Sequence, residues 1–244
     1  MYKNKKICLV IPVYNEEDHI EEVIKEIPEF IDFIIVIDDK STDNTLKILK
    51  NIKEERLHII VHETNQGVGK STVNGFLLGE ELGADIFVRI DGDGQMKAEL
   101  LPKFLDPLID EDYDFAKGNR MSNKKLREQM PKYRFIGNKI LTWITKITTG
   151  YWNVNDAQNG YTAMKKETFK KIRHEKLNAG YTFENSMLFE LSLINAKIKE
   201  IEMKAIYQNE SSSIKLRNFI PSMILYQLSL IPRRIFYKMK NVFN

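Results

Sequence analysis

Disulfides, long apolar runs and a marked excess of either charge are all missing from this chain. Cys8 is the only cysteine in 244 residues, so no intramolecular disulfide can form, and its place in an apolar run suggests a small core residue in a reducing, cytosolic setting. The longest uncharged stretch, 218–232, falls short of the ~20 apolar residues that a spanning helix needs. It also contains Pro221 and Pro232, so no membrane-spanning segment is expected. Near the N-terminus, Ile7–Val13 is too short for the apolar part of a signal peptide and reads better as a strand. Lys and Arg number 37 against 34 Asp and Glu, a net charge of +3, which gives no reason to expect a nucleic-acid partner. No internal repeat or low-complexity tract interrupts the chain.

What is present is enough for one core: 43% of the residues are hydrophobic. Charge is unevenly spread. From Ser211 onward there are six basic residues (Lys215, Arg217, Arg233, Arg234, Lys238, Lys240) and no acidic one, leaving a net charge of −3 on residues 1–210.

Short Ile- and Val-rich runs at Ile7–Val13, Phe33–Ile37, Leu57–Val61 and Ile86–Ile90 predict buried parallel strands. Helical periodicity fills the gaps at Glu16–Ile27, Thr45–Ile52 and Lys70–Leu82, so the order implies a doubly wound, mostly parallel α/β sheet flanked by helices. Further on, Phe115–Lys117 and Ile198–Tyr207 read as strands, Tyr133–Thr149 and Phe183–Ile194 as helices, and 122–132 as a mobile basic loop. A polar link, 208–213, leads into the tail.

Ligands of such sheets sit beyond the carboxyl ends of the strands, and here four strand ends carry polar residues. Strand one runs into Pro12, Tyr14, Asn15 and Glu16; strand two into Asp38 and Asp39; strand three leads to Gly67, Gly69 and Lys70; strand four ends in Asp91, Asp93 and Gln95. Two hard carboxylates flanking Gly92 suit Mg²⁺ or Mn²⁺ bridging a diphosphate, although an Asp-Gly turn would use the same residues. Asp39 suits a nucleotide base or ribose, while Ser41, Thr42 and Asp43 suit a helix cap. The Gly67–Ser71 segment fails both phosphate-loop patterns, because Thr64 and Thr72 stand where glycines are needed. A helix N-terminus beside Lys70 still favours an anion.

Taken together and in order, Ile11–Glu17, Asp38–Asp43, Asn65–Lys70 and Asp91–Gln95 resemble glycosyltransferase family 2. Gly118-Asn119-Arg120, the 134–150 helix with Gly137-Asn138, and Asp156–Tyr161 look like its dolichyl-phosphate mannose synthase branch. That resemblance covers roughly residues 6–215 and implies a GT-A catalytic domain over 1–217, a nucleotide-sugar donor and a polyprenyl phosphate acceptor at the cytosolic membrane face. By motif, Pro12, Tyr14, Glu16 and Asp39 would hold the nucleoside, with Gly67 and Lys70 nearby, while Asp91, Asp93 and Gln95 would organise metal and diphosphate. Arg120, with Arg134 and Gln158, would face phosphate; Asp156 and Glu184 would be candidates for a general base if the acceptor were a glycan hydroxyl. Lys215 and Arg217 match a segment that closes on phosphate in that branch.

Where many members of the branch carry spanning helices, residues 218–244 read as a basic amphipathic tail. It suits peripheral contact with an anionic membrane, packing on the domain, or a homo-oligomer contact, and the sequence leaves the three open. A non-catalytic nucleotide-sugar-binding module is the remaining alternative.

Overall fold

The computed structural model describes residues 1–206 and 216–242, so Lys215 and the polar link at 208–213 lie outside the described residues. Seven strands form one sheet in the order β3-β2-β1-β4-β6-β5-β7. These are β1 (Ile7–Val13), β2 (Phe33–Asp38), β3 (Leu57–Val61), β4 (Ile86–Arg89), β5 (Phe115–Asn119), β6 (Thr162–Lys165) and β7 (Ile198–Glu202). The first four are parallel, as the runs of β-branched residues predicted; β6 alone is reversed, antiparallel to both β4 and β5. Every residue of β1 is buried, which is why its sequence shows no alternation.

Eight α-helices accompany the strands among the described residues: α1 (Ile20–Lys25), α2 (Thr45–Asn51), α3 (Val68–Glu81), α4 (Leu101–Ile109), α5 (Lys132–Thr149), α6 (Lys166–Lys171), α7 (Phe183–Leu193) and α8 (Leu216–Val242). Helix α3 lies close on the sheet because of what it lacks: a Cβ on Gly75 would stand 2.4 Å from Val10 Cγ1. Cys8 is fully buried in this layer, and burial pushes its thiol up, so it is the inert core residue the sequence suggested. Phe87 stacks on Phe76 at 5.4 Å, and Phe169 meets both edge-on, knitting β4, α3 and α6 into one face of the core.

Two elements are shorter than the periodicity implied. Helix α1 begins at Ile20 rather than Glu16, because the amides of Asn15, Glu16 and Glu17 donate sideways to Ser41 Oγ, Thr45 Oγ1 and Asp43 Oδ2. Strand β7 ends at Glu202 rather than Tyr207; Ala205 N–H instead donates to the Leu126 carbonyl, 2.7 Å away. The basic stretch at 122–132 is irregular up to the start of α5, with Met121, Met130 and Ala205 clustered beneath it.

The tail is a helix, and α8 packs on α5 and α7. Met223, Gln227 and Leu230 are buried, and Gln227 Oε1 accepts from Thr145 Oγ1. Gly150 closes α5 in the left-handed conformation, φ 78°, and Arg234 of α8 fills the space a Cβ would need there. Among the described residues no helix is long and apolar enough to cross a membrane.

Candidate active site

Four strand-end loops and the N-terminal turns of α5 enclose a cavity of about 560 Å³. Pro12 at the end of β1 lines one side together with Tyr14, Glu16, Asp39, Gly67, Asp91 and Asp93 from the loops after β1 to β4. Across from them stand Arg120, Arg134, Gln158 and Glu184, with Tyr133, Asn138 and Tyr181. Eleven of the residues singled out by sequence therefore converge on one space, as expected at the carboxyl edge of a doubly wound sheet.

The first wall is laced by local hydrogen bonds. Asn15, in a left-handed turn at φ 58°, accepts from Thr42 N–H through Oδ1 while its own N–H goes to Ser41. The N-cap of α2 is Asn44, whose side chain makes no cap bond; Asp43, one position earlier, accepts from Thr45 N–H, while Ser41 and Thr42, expected to cap with it, bond Asn15 instead. Buried Asp39 accepts from the Gln66 and Gly67 amides at 2.8 and 2.7 Å and contacts His62 Nδ1 at 2.7 Å. With the Asn74 amide nitrogen 2.9 Å from Nε2, the ring carries its proton on Nδ1 and donates to Asp39. Asp39 thus holds the β3–α3 loop against the cavity in addition to lining it.

That loop does not use its glycines for phosphate. Gly69 N–H donates to the Ala179 carbonyl at 2.7 Å, and a Cβ on Gly69 would stand 2.1 Å from the Asn178 carbonyl oxygen. The glycines allow the 178–180 backbone to close over the start of α3. Lys70 is exposed and does not line the cavity, so the structure gives no support to its expected place beside an anion.

At the end of β4, the Asp93 side chain accepts from Gln95 N–H at 3.0 Å, and Gly94 has φ 73°. The turn and the cavity-facing carboxylate are one structure rather than rivals. Gln95 serves through its backbone here and is not among the lining residues. Asp91 Oδ1 is bonded by Arg89 Nη2 at 2.7 Å, and Arg89 Nη1 reaches Glu184 Oε1 at 2.6 Å. Arg89 is only 3% exposed, and its Nε has no acceptor among the described residues. Burial acts against its charge, but Asp91 and Glu184 outweigh that and hold the guanidinium protonated.

Asp156 is wholly buried and sits outside the cavity lining. Its two oxygens take Arg120 Nε at 2.8 Å and Nη2 at 3.0 Å, a bidentate clamp, and the Arg120 backbone N–H as well. Burial pushes its pKa up, yet Arg120 more than reverses this and holds the carboxyl below its ordinary range. Asp156 therefore aims Arg120 and does not itself face the cavity. Deeper still, Lys117 bonds the Asn159 carbonyl; burial lowers it to about 8 against the pull of Glu184 and Asp156.

Arg89 was passed over in the sequence, where it looked like part of an apolar strand. A lone cation breaking the run Ile86–Ile90, two residues before Asp91, is the signal that would have found it. Asn138 belongs to the Gly137-Asn138 pair that carried the resemblance, whereas Tyr133 had no signal beyond lying on the predicted α5. Arg217 falls in the first turn of α8.

Residues 8–173 match the profile of glycosyl transferase family 2. The chain belongs to that family. Over 243 residues it is 33% identical to a UDP-N-acetylglucosamine–dolichyl-phosphate N-acetylglucosaminyltransferase from Methanococcus voltae, covering 93% of this chain and 96% of the relative. An undecaprenyl-phosphate mannosyltransferase from Micrococcus luteus is 24% identical over 213 residues, covering 80% of this chain and 82% of its own. Among solved structures, mannosyl-3-phosphoglycerate synthase from Rubrobacter xylanophilus superposes with a TM-score of 0.72 at 16% identity, over 97% of this chain and 75% of that one. Glucosyl-3-phosphoglycerate synthase from Mycobacterium tuberculosis, solved with Mn²⁺, UDP and its product, gives 0.69 at 18% identity, over 95% and 80%. The architecture of this glycosyltransferase is thus GT-A, as the motifs implied.

Proposed function

We propose that this glycosyltransferase moves a sugar, with inversion, from UDP-N-acetylglucosamine to the phosphate of a polyprenyl phosphate. The choice of donor and acceptor draws on the archaeal relative, whose likeness runs along nearly the whole of both chains. One observation favours a phosphate over a glycan hydroxyl: both carboxylates offered as general base are engaged by arginines, Glu184 by Arg89 and Asp156 by Arg120. A hydroxyl nucleophile needs a carboxylate to take its proton, whereas an acceptor phosphate is already anionic.

In the reaction, an acceptor phosphate oxygen forms a bond to the anomeric carbon as the bond from that carbon to the donor diphosphate breaks. The electron pair leaves on the nucleoside diphosphate. Arg120, held rigid by Asp156, and Arg134 place positive charge on the acceptor side of the cavity, so two anions can meet there. Pro12, Tyr14 and Asp39 hold the nucleoside on the other side. Asp91 and Asp93 offer hard oxygen ligands at the cavity, a donor set that fits Mg²⁺ or Mn²⁺ when diphosphate oxygens complete the shell. Such an ion, when bound, neutralises charge on the departing diphosphate. Both carboxylates also serve the fold, Asp91 Oδ1 accepting from Arg89 and Asp93 Oδ1 from the Gln95 amide, so the two would share such an ion.

The test incubates the protein with labelled UDP-N-acetylglucosamine or GDP-mannose, Mn²⁺, and either polyprenyl phosphate or soluble glycans, and extracts the lipid. Lipid-linked label from the UDP donor, lost in Asp93→Ala, is the expected result. Transfer to glycans alone overturns the acceptor, and transfer from GDP-mannose alone overturns the donor. Donor binding without turnover on any acceptor returns the chain to a binding module.

A further inference from the structure

Helix α5 is inside out. The side chains it buries toward the domain include Thr142, Thr145, Thr148 and Thr149, satisfied by hydrogen bonds such as Thr145 Oγ1 to Gln227 Oε1 and Thr149 Oγ1 to the Thr145 carbonyl. Five of its large apolar side chains point the other way, while Leu141 is buried with the threonines. Tyr133 is 56% exposed, Ile136 57%, Ile140 47%, Trp143 61% and Ile147 38%. Their spacing of three and four residues makes one continuous stripe from Tyr133 to Ile147, about 21 Å of helix. Leu225, Leu228 and Phe236 of the adjoining α8 are exposed as well. Scattered exposed apolar residues mean little, but a contiguous stripe marks an interaction surface.

The charges say what covers it. Neither α5 nor α8 contains an acidic residue, and between them they carry Lys132, Arg134, Lys139, Lys146 and five more basic residues in α8. A self-associating protein face gains nothing from meeting its own positive charge, whereas an anionic lipid surface rewards both the apolar stripe and the cations. The stripe also begins at the cavity: Tyr133 and Arg134 line it.

We propose that α5 is a membrane-docking helix that lies in the plane of an anionic bilayer, with the cavity mouth at the headgroup level. An acceptor phosphate at that level meets Arg134 and Arg120 while its polyprenyl chain stays in lipid, so the acceptor need not leave the membrane. This rests on the polyprenyl phosphate reading above and adds the surface from which that acceptor is taken.

The chain's two tryptophans, Trp143 in α5 and the 63% exposed Trp152 just beyond it, supply the probe. Trp152→Phe leaves Trp143 as the sole emitter. With phosphatidylcholine vesicles containing phosphatidylglycerol its emission shifts to the blue and is quenched by brominated lipid; with phosphatidylcholine alone the effect is much weaker. Ile140→Glu combined with Trp143→Glu, read by sedimentation with the same vesicles, lowers binding roughly 10-fold or more. Transfer to geranyl phosphate in solution stays at the wild-type rate in that variant, while transfer to vesicle-embedded polyprenyl phosphate falls with binding. Absence of a blue shift with anionic vesicles overturns the proposal, as does sedimentation unchanged by the two substitutions. A dimer dispersed by those substitutions, with no vesicle binding, assigns the stripe to a second copy instead. The binding arms need no catalysis, so inactivity toward every acceptor would count against the transfer reading and leave these results standing.

Discussion

The two walls of the cavity are built by opposite means. On the side proposed for the donor, short loops are tied to one another by backbone amides and small polar side chains: Asn15 with Ser41 and Thr42, Asp39 with Gln66 and Gly67. On the side proposed for the acceptor, ion pairs join distant parts of the chain: Arg89 to Glu184 across 95 positions, Arg120 to Asp156 across 36. The first wall is held by bonds between loops that the parallel sheet brings side by side. The second depends on buried charges matching, and so it is where a single substitution does most harm.

That contrast can be broken most forcefully at Arg89. Replacing it with Met strands Asp91 and Glu184 in a poorly solvated site, at a cost of about 3–5 kcal/mol in unfolding free energy. Displacement of the two carboxylates should also lower kcat/KM by ~10²-fold. Adding Glu184→Gln recovers part of the stability and not the activity; denaturant unfolding and lipid-transfer rates of the single and double variants measure both.

Next in size is Lys117. Its ammonium loses a proton at about 8 in the folded chain but near the ordinary 10.5 when unfolded. Between those values the unfolded chain binds more protons, so stability rises with pH across that window; below it Lys117 is charged in both states and contributes no slope. The full rise is roughly 3 kcal/mol, and Lys117→Met abolishes it, as urea unfolding at pH 7 and pH 10 will show.

The donor wall answers more mildly. Asp39→Asn keeps one acceptor oxygen and leaves an amide facing a backbone N–H, costing about 1–3 kcal/mol. Here the thermal shift produced by UDP-N-acetylglucosamine should shrink while vesicle binding stays unchanged. The smallest effect is Ser41→Ala, which deprives the Asn15 amide of its partner at an exposed position and costs about 0.5–1 kcal/mol in thermal unfolding.

The same division governs what the sequence reveals. The parallel strands and their polar ends are local patterns, and Pro12, Asp39, Asp91 and Asp93 could be placed before any contact was known. Even there the ends of elements escaped: nothing in Glu16–His19 announces that the amides at 15–17 are captured from the loop after β2. On the other wall, Asp156 and Glu184 read as carboxylates without partners, because the arginines that engage them are remote in sequence or hidden in an apolar strand. Helix α5 was found by its period, but period alone does not say which face turns inward.

Strand β6 gives the molecule one more property. Because it runs against its neighbours, the chain leaves β5 and re-enters the sheet beside it, with Lys117 opposite Thr162. Everything between, including Arg120, the inverted helix and Gln158, is topologically a single long hairpin insertion. Its two ends lie side by side on neighbouring strands, so about forty residues of one cavity wall hang from two adjacent points of the sheet, and a change in the length of this segment leaves the register of β1 to β3 as it is.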